Sequence, residues 1–259
     1  MYPEQTLINL LEVFGDRPIL LGMLHVWPGM RKDQIKQALE DAERLEGFSG
    51  LIVENYDWGY ADSNLATEEA ARTLGQVLRE VASRVTIPVG VNILPNDYRK
   101  ALAVAKEYGG RFIQLDHVTG DFVNVESVDP GRFLSDRVLV PDIIVLGGIQ
   151  PKYYRLRTQE SIVTAANRAA KLADAVVVTG TRTGGHTKIE DLVQVRQTIG
   201  KHPVFVGSGL TAKNAREQLM VADGAIVGTA LKQRGVRPGE PIARERVKLL
   251  LEAAKHQTH

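Results

Sequence analysis

Polar side chains stand at the ends of short apolar runs throughout this chain: His25, Glu54 with Asn55, Asn92, Asp116 with His117, Gln150, Thr179, Ser208 and Thr229. Glu54 and Asp116 end different runs. They form an acid/base pair if their surroundings push their pKa values apart. The same two carboxylates could instead bind sugar hydroxyls, or hold a Mg²⁺ ion together with a ligand's phosphate. His25 and His117 offer proton transfer or metal binding, Asn92 is expected with Glu54, Asp116 and His25 at the reacting portion of a substrate, and Asn55, His117 and Thr179 offer it hydrogen bonds. No His-x-His or His-Glu-x-x-His spacing supports a zinc site, and no cysteine is present for thiol or Cys-metal chemistry. Taken singly, each of these groups could also do no more than bond a loop backbone.

Glycines mark a second kind of site. Gly207-Ser208-Gly209-Leu210-Thr211 follows one apolar run and opens a helical stretch, and Gly228-Thr229-Ala230-Leu231 follows the next run. Backbone N–H groups in such turns approach an anion closely, and a helix start adds unpaired donors. Gly207, Ser208, Gly209, Gly228 and Thr229 are therefore candidate phosphate ligands, although tight turns alone would also call for glycine. A third glycine-rich stretch, Gly180-Thr181-Arg182-Thr183-Gly184-Gly185-His186, reads as a loop able to close over a ligand, with Gly180 near it and Arg182 available for its anion. It lacks the Gly-Lys-Ser/Thr of a nucleotide P-loop, and no dinucleotide fingerprint occurs anywhere. Lys152 and Lys188 lie beyond the runs rather than on them, which disfavours a Schiff-base lysine.

The elements that must position these residues follow from the apolar pattern. Eight runs rich in Val, Ile and Leu cover residues 19–25, 51–55, 89–93, 112–116, 143–147, 175–179, 204–207 and 225–228. Continuous apolar character fits parallel strands buried on both faces. Helical periodicity fills the gaps at 34–45, 67–85, 97–108, 161–172, 189–199, 212–220 and 243–254, with a further helix around 7–14 and a short one at 131–137. Eight strand–helix units in 259 residues predict an α/β fold: one (β/α)₈ TIM barrel over 1–259, with phosphate-binding loops after strands seven and eight. An open doubly wound sheet is the rival. In the barrel, the polar residues at strand ends meet at one mouth.

Charge is balanced, 32 Lys+Arg against 31 Asp+Glu, so no bulk electrostatic attraction to nucleic acid or anionic membrane is expected. No apolar run reaches the ~18 residues of a spanning helix. The first residues carry no basic, apolar leader. A cytoplasmic protein without direct membrane insertion is expected, paired as a homo-oligomer as such barrels often are.

The order of these stretches resembles the BtpA family. Gly22-Met23-Leu24-His25, Gly50-Leu51-Ile52-Val53-Glu54-Asn55, Pro88 to Asp97, Ala173 to Gly180, Pro203 to Thr211 and Ala222 to Thr229 carry the likeness, which spans nearly the whole chain. After the fifth strand the chain departs from the family pattern with Gly147-Gly148-Ile149-Gln150-Pro151-Lys152. The resemblance implies an aldolase-type barrel with a phosphate site at the two glycine turns, and leaves the reaction open. The expected function is acid/base chemistry on a phosphorylated sugar, nucleotide or similar metabolite, of lyase, isomerase or hydrolase type. Alternatives are an assembly or stability factor for a membrane complex such as photosystem I, which the family name suggests, and a sensor of a phosphorylated ligand.

Overall fold

The computed structural model describes residues 10–56, 58, 65–123, 125–152, 154–180 and 185–255. Eight parallel strands close into a barrel in sequential order. They are β1 (Ile19–Val26), β2 (Gly50–Asn55), β3 (Val89–Asn92), β4 (Phe112–Leu115), β5 (Ile144–Ile149), β6 (Ala175–Val178), β7 (Val204–Val206) and β8 (Gly224–Val227). The α/β barrel expected from eight apolar runs is the fold, and the open sheet is excluded by the β1–β8 pairing, Ile19 against Gly224 through Gly22 against Val227.

Helices α1 (Leu10–Phe14), α2 (Arg31–Arg44), α3 (Glu68–Ala82), α4 (Tyr98–Tyr108), α5 (Pro130–Val138), α6 (Ile162–Ala169), α7 (Ile189–Ile199), α8 (Ala215–Leu219) and α9 (Arg244–Lys255) surround or close the barrel. Local chemistry sets several starts. Thr67, Asp97, Asp129 and Ser161 each accept a backbone N–H of the first turn through the side chain. The stretch expected as a helix over 212–220 is helical only over Ala215–Leu219. Asn214 Oδ1 accepts from both Thr211 N and Thr211 Oγ1, which holds these residues in a turn and delays the helix.

The two-residue strand period divides the core. Leu21, Ile52, Phe112, Ile144, Leu146, Val177, Phe205 and Ile226 fill the barrel interior, and Phe14 of α1 packs on Phe112 from below with ring centroids 5.0 Å apart. Alternate residues such as Leu24, Val53, Val91, Ile113 and Val145 face outward to the helices. Continuing the inward period to the carboxyl ends of the strands brings His25, Glu54, Asn92, Gln114, Gly148, Thr179, Gly207 and Gly228 into the uppermost layer. That layer is polar on β1–β4 and nearly bare on β5–β8.

Candidate active site

The mouth holds a cavity of about 750 Å³, within the range of small-molecule sites. One wall carries His25, Glu54, Gln114 and Asp116; the other is made by residues 207–211 and 228–230, with Thr179 between β6 and β7. Lys152 and Tyr154 of the β5–α6 loop complete the polar wall.

Glu54 and Asp116 are joined through Asn92. Its Nδ2 donates to Glu54 Oε2 at 2.8 Å and Gln114 Oε1 at 2.9 Å, and lies 3.4 Å from Asp116 Oδ1. Tyr154 Oη lies 3.0 Å from Asp116 Oδ2 and 3.2 Å from the Pro95 carbonyl. Burial pushes the Glu54 carboxyl up to about 7, and the negative charge of Asp116 adds to this; the Asn92 hydrogen bond and the charge of Lys152 oppose it. Glu54 is thus poised between acid and base near neutrality. His25 faces Glu54 across the β1–β2 rung, with Nε2 3.8 Å from Glu54 Oε1. Burial, with the charges of Lys232 and Lys152, lowers its pKa to about 3, so the ring is neutral. Tyr56 meets it edge-on at 5.0 Å.

The glycine turns are shaped by contact. A methyl added at Gly228 would lie 2.9 Å from His25 Cε1, so the turn after β8 touches the polar wall directly. A methyl at Gly148 would overlap the Asp116 carbonyl, and one at Gly207 would lie 2.6 Å from Thr179 Cγ2. Gly209 takes a left-handed φ of 73° against the backbone of Gly185. After β8 a single 3₁₀ turn, Thr229–Leu231, begins at Gly228.

Not every sequence candidate presents a free polar group to the cavity. Ser208 Oγ accepts from Gly180 N at 2.8 Å and donates to the Gly185 carbonyl at 3.2 Å, so its hydroxyl clasps the β6–α7 loop to the β7 turn. Gly180 is the other half of that clasp. Asn55 is 1% exposed and bonds both the N–H and the C=O of Leu94. His117 is fully enclosed between Phe122 and Tyr154, and burial lowers its pKa to about 4. Gln150 turns outward at φ 46° and bonds the Glu160 carbonyl. Arg182 lies outside the described residues.

Four contributors were not singled out for the site from the sequence. Gln114 shares the strand period of Phe112 and Asp116, which is a readable signal. Lys152, set aside for lying beyond the fifth strand, is only three residues past the end of β5, because that strand runs on to Ile149. Tyr154 sits in a loop without periodicity. Lys232 follows the β8 turn, and its Nζ donates to the Glu240 carbonyl at 2.7 Å and lies 3.5 Å from Asp41 Oδ2. Among the described residues no group of three His, Cys, Asp or Glu is close enough to hold a metal ion. A Mg²⁺ ion at Glu54 and Asp116 would need oxygens of the ligand or water for most of its coordination.

The family model described as the BtpA family matches residues 20–256. This chain belongs to the BtpA family. An uncharacterized protein of Pyrococcus furiosus is 32% identical to it over 92% of this chain and 95% of the relative. The photosystem I biogenesis protein BtpA of Synechocystis is 27% identical over 95% of this chain and 91% of its own length. Among solved structures, N-(5'-phosphoribosyl)anthranilate isomerase from Pyrococcus furiosus superposes with a TM-score of 0.57 at 17% identity, over 92% of this chain and 98% of the isomerase. At that identity the likeness is one of fold. Among the described residues no helix is long and apolar enough to cross a membrane.

Proposed function

We propose that this BtpA-family barrel is an enzyme that performs acid/base chemistry on a phosphorylated small metabolite at the mouth of the barrel. One observation carries the reading: a single cavity has glycine turns on one side and a buried carboxylate poised near neutrality on the other. Gly207, Gly209, Gly228 and Thr229 are the proposed phosphate cradle: Gly209, Gly228 and Thr229 would offer backbone N–H groups to the anion, while Gly207, whose own N–H bonds the Val178 carbonyl at 2.7 Å, lets the turn pack closely on Thr179. Glu54 is the proton carrier, Asn92 orients it and is itself held by Gln114, and Asp116 keeps its pKa high. The solved isomerase of like fold is named for a phosphoribosyl compound, which agrees with the ligand class without fixing it.

Thermal shift with ribose 5-phosphate, fructose 6-phosphate and their unphosphorylated sugars tests the reading. The phosphorylated compounds should raise Tm, and the free sugars should not. A side chain at Gly228 would press its Cβ to 2.9 Å from His25 Cε1, so Gly228→Val distorts the turn that forms the cradle. This variant should abolish the shift. Equal shifts from free sugars, or no shift from any phosphorylated compound, would overturn the proposal.

A further inference from the structure

The placement of His25 narrows the reaction. It touches both halves of the site: its ring meets the Gly228 turn and its Nε2 faces Glu54. The 3.8 Å between Nε2 and Glu54 Oε1 is too long for a hydrogen bond, and it leaves room for one ligand oxygen within bonding distance of both. His25 Nδ1 is buried without a partner. A buried N–H without an acceptor costs more than a bare lone pair, so the ring proton belongs on Nε2, pointing at that oxygen. No cysteine exists in the chain to act as nucleophile, and the Ser208 hydroxyl is held by two backbone groups.

We infer that the site moves a proton between adjacent carbons of a phosphorylated α-hydroxycarbonyl compound, with the Glu54 carboxylate as the base at carbon and the His25 Nε2–H as the donor to the carbonyl oxygen. This rests on the phosphate reading above and specifies its reaction. Glu54 takes the proton from the carbon bearing the hydroxyl; the C–H electron pair becomes the C=C bond of an enediol, and the carbonyl π pair moves onto oxygen. Glu54 then returns its proton to the neighbouring carbon. The hydroxyl proton passes through His25 to the former carbonyl oxygen, so no co-reactant is consumed. A base that must both take and return a proton works best with a pKa near the working pH, and the buried Glu54 has one of about 7. The charge of Lys152, which bears on both His25 and Glu54, favours the negative charge developing on the enediol oxygens.

The full chain in D₂O, with glyceraldehyde 3-phosphate, ribose 5-phosphate, ribulose 5-phosphate and fructose 6-phosphate, tests this by proton NMR. Saturation transfer reads binding, and loss of the C–H signal beside the carbonyl reads exchange. At least one compound should bind and exchange, with exchange rising with pH through about 7. Glu54→Gln should lower exchange about 1,000-fold and His25→Gln about 100-fold, with saturation transfer retained. Retained binding also reports that the variants are folded, and Glu54→Asp, one methylene shorter, should recover part of the exchange. Binding without exchange, or exchange that survives Glu54→Gln, overturns the proton transfer and leaves the phosphate site standing. No binding of any compound overturns both.

Discussion

Asn92 shows how one side chain sets the chemistry of its neighbours. Fully buried, it offers two N–H bonds to three acceptors, Glu54, Gln114 and Asp116. Its bond to Glu54 favours the charged carboxylate and so lowers that pKa, against burial and Asp116, which raise it. Replacing Asn92 with Leu, of similar volume, should move the Glu54 pKa further up; ¹³C NMR of the Glu54 carboxyl through a pH titration checks this. A downward or absent shift would show that the bond does not tune Glu54. Asn92 and Glu54 were legible in the sequence because both end apolar runs. Lys152 and Tyr154 were not, because a loop's path, and therefore the point its side chains reach, depends on contacts remote in sequence.

At the scale of elements, amides and carboxylates lace one strand end to the next. Asn55 at the end of β2 bonds both backbone groups of Leu94, and Asn96 beyond β3 bonds both backbone groups of His117 at 3.0 Å. Each amide stands in for a strand partner and extends the ladder by a rung. Asn96 pays for this with a left-handed φ of 114°. Asn96→Ala, which leaves two buried backbone groups unpaired, should cost about 2–4 kcal/mol. Urea unfolding reads the cost, and hydrogen exchange at His117 should quicken alongside it. The amino ends of the strands use a different device twice. Asp174 before β6 accepts from Val145 N and pairs with Arg137, while Asp223 before β8 accepts from Val204 N and pairs with Arg196. Asp174→Asn would leave the buried Arg137 without its counter-charge and should cost about 3–5 kcal/mol, measured by the urea midpoint. A cost below 1 kcal/mol would mean that the guanidinium reaches water.

For the whole molecule, three buried groups of the polar wall and its support couple stability to pH in opposite senses. His25 and His117 have folded pKa values of about 3 and 4, below the ordinary 6.5. The unfolded chain therefore binds their protons first, and stability falls as pH drops below 6.5. Glu54, raised from 4.5 to about 7, binds its proton first in the folded state, so stability rises as pH drops from 7 towards 4.5. Between pH 7 and pH 5 the histidines remove roughly 4 kcal/mol and Glu54 restores roughly 2 kcal/mol. Glu54→Gln should therefore lose about 2 kcal/mol more than the wild type over this interval, compared through urea midpoints at the two pH values. Equal losses would mean that Glu54 does not titrate as a buried acid.

The sequence by itself determined the eight strands, most of the helices, the mouth at which polar strand ends gather and the two glycine turns. These are local consequences of period and turn chemistry, carried by runs such as 51–55 and by Gly207-Ser208-Gly209. Tertiary structure decided which polar groups face the cavity. Ser208 lines the cavity but spends its hydroxyl on a loop clasp, and Asn55 and His117 are spent on backbone bonds and packing, whereas Gln114, Lys152 and Tyr154 line the polar wall. It also decided that Glu54 titrates near 7, because burial and the approach of Asp116 are set by closure of the barrel. A side chain's residue type fixes what protons it can exchange; its neighbours, brought together only when β8 meets β1, fix at what pH and with what partner.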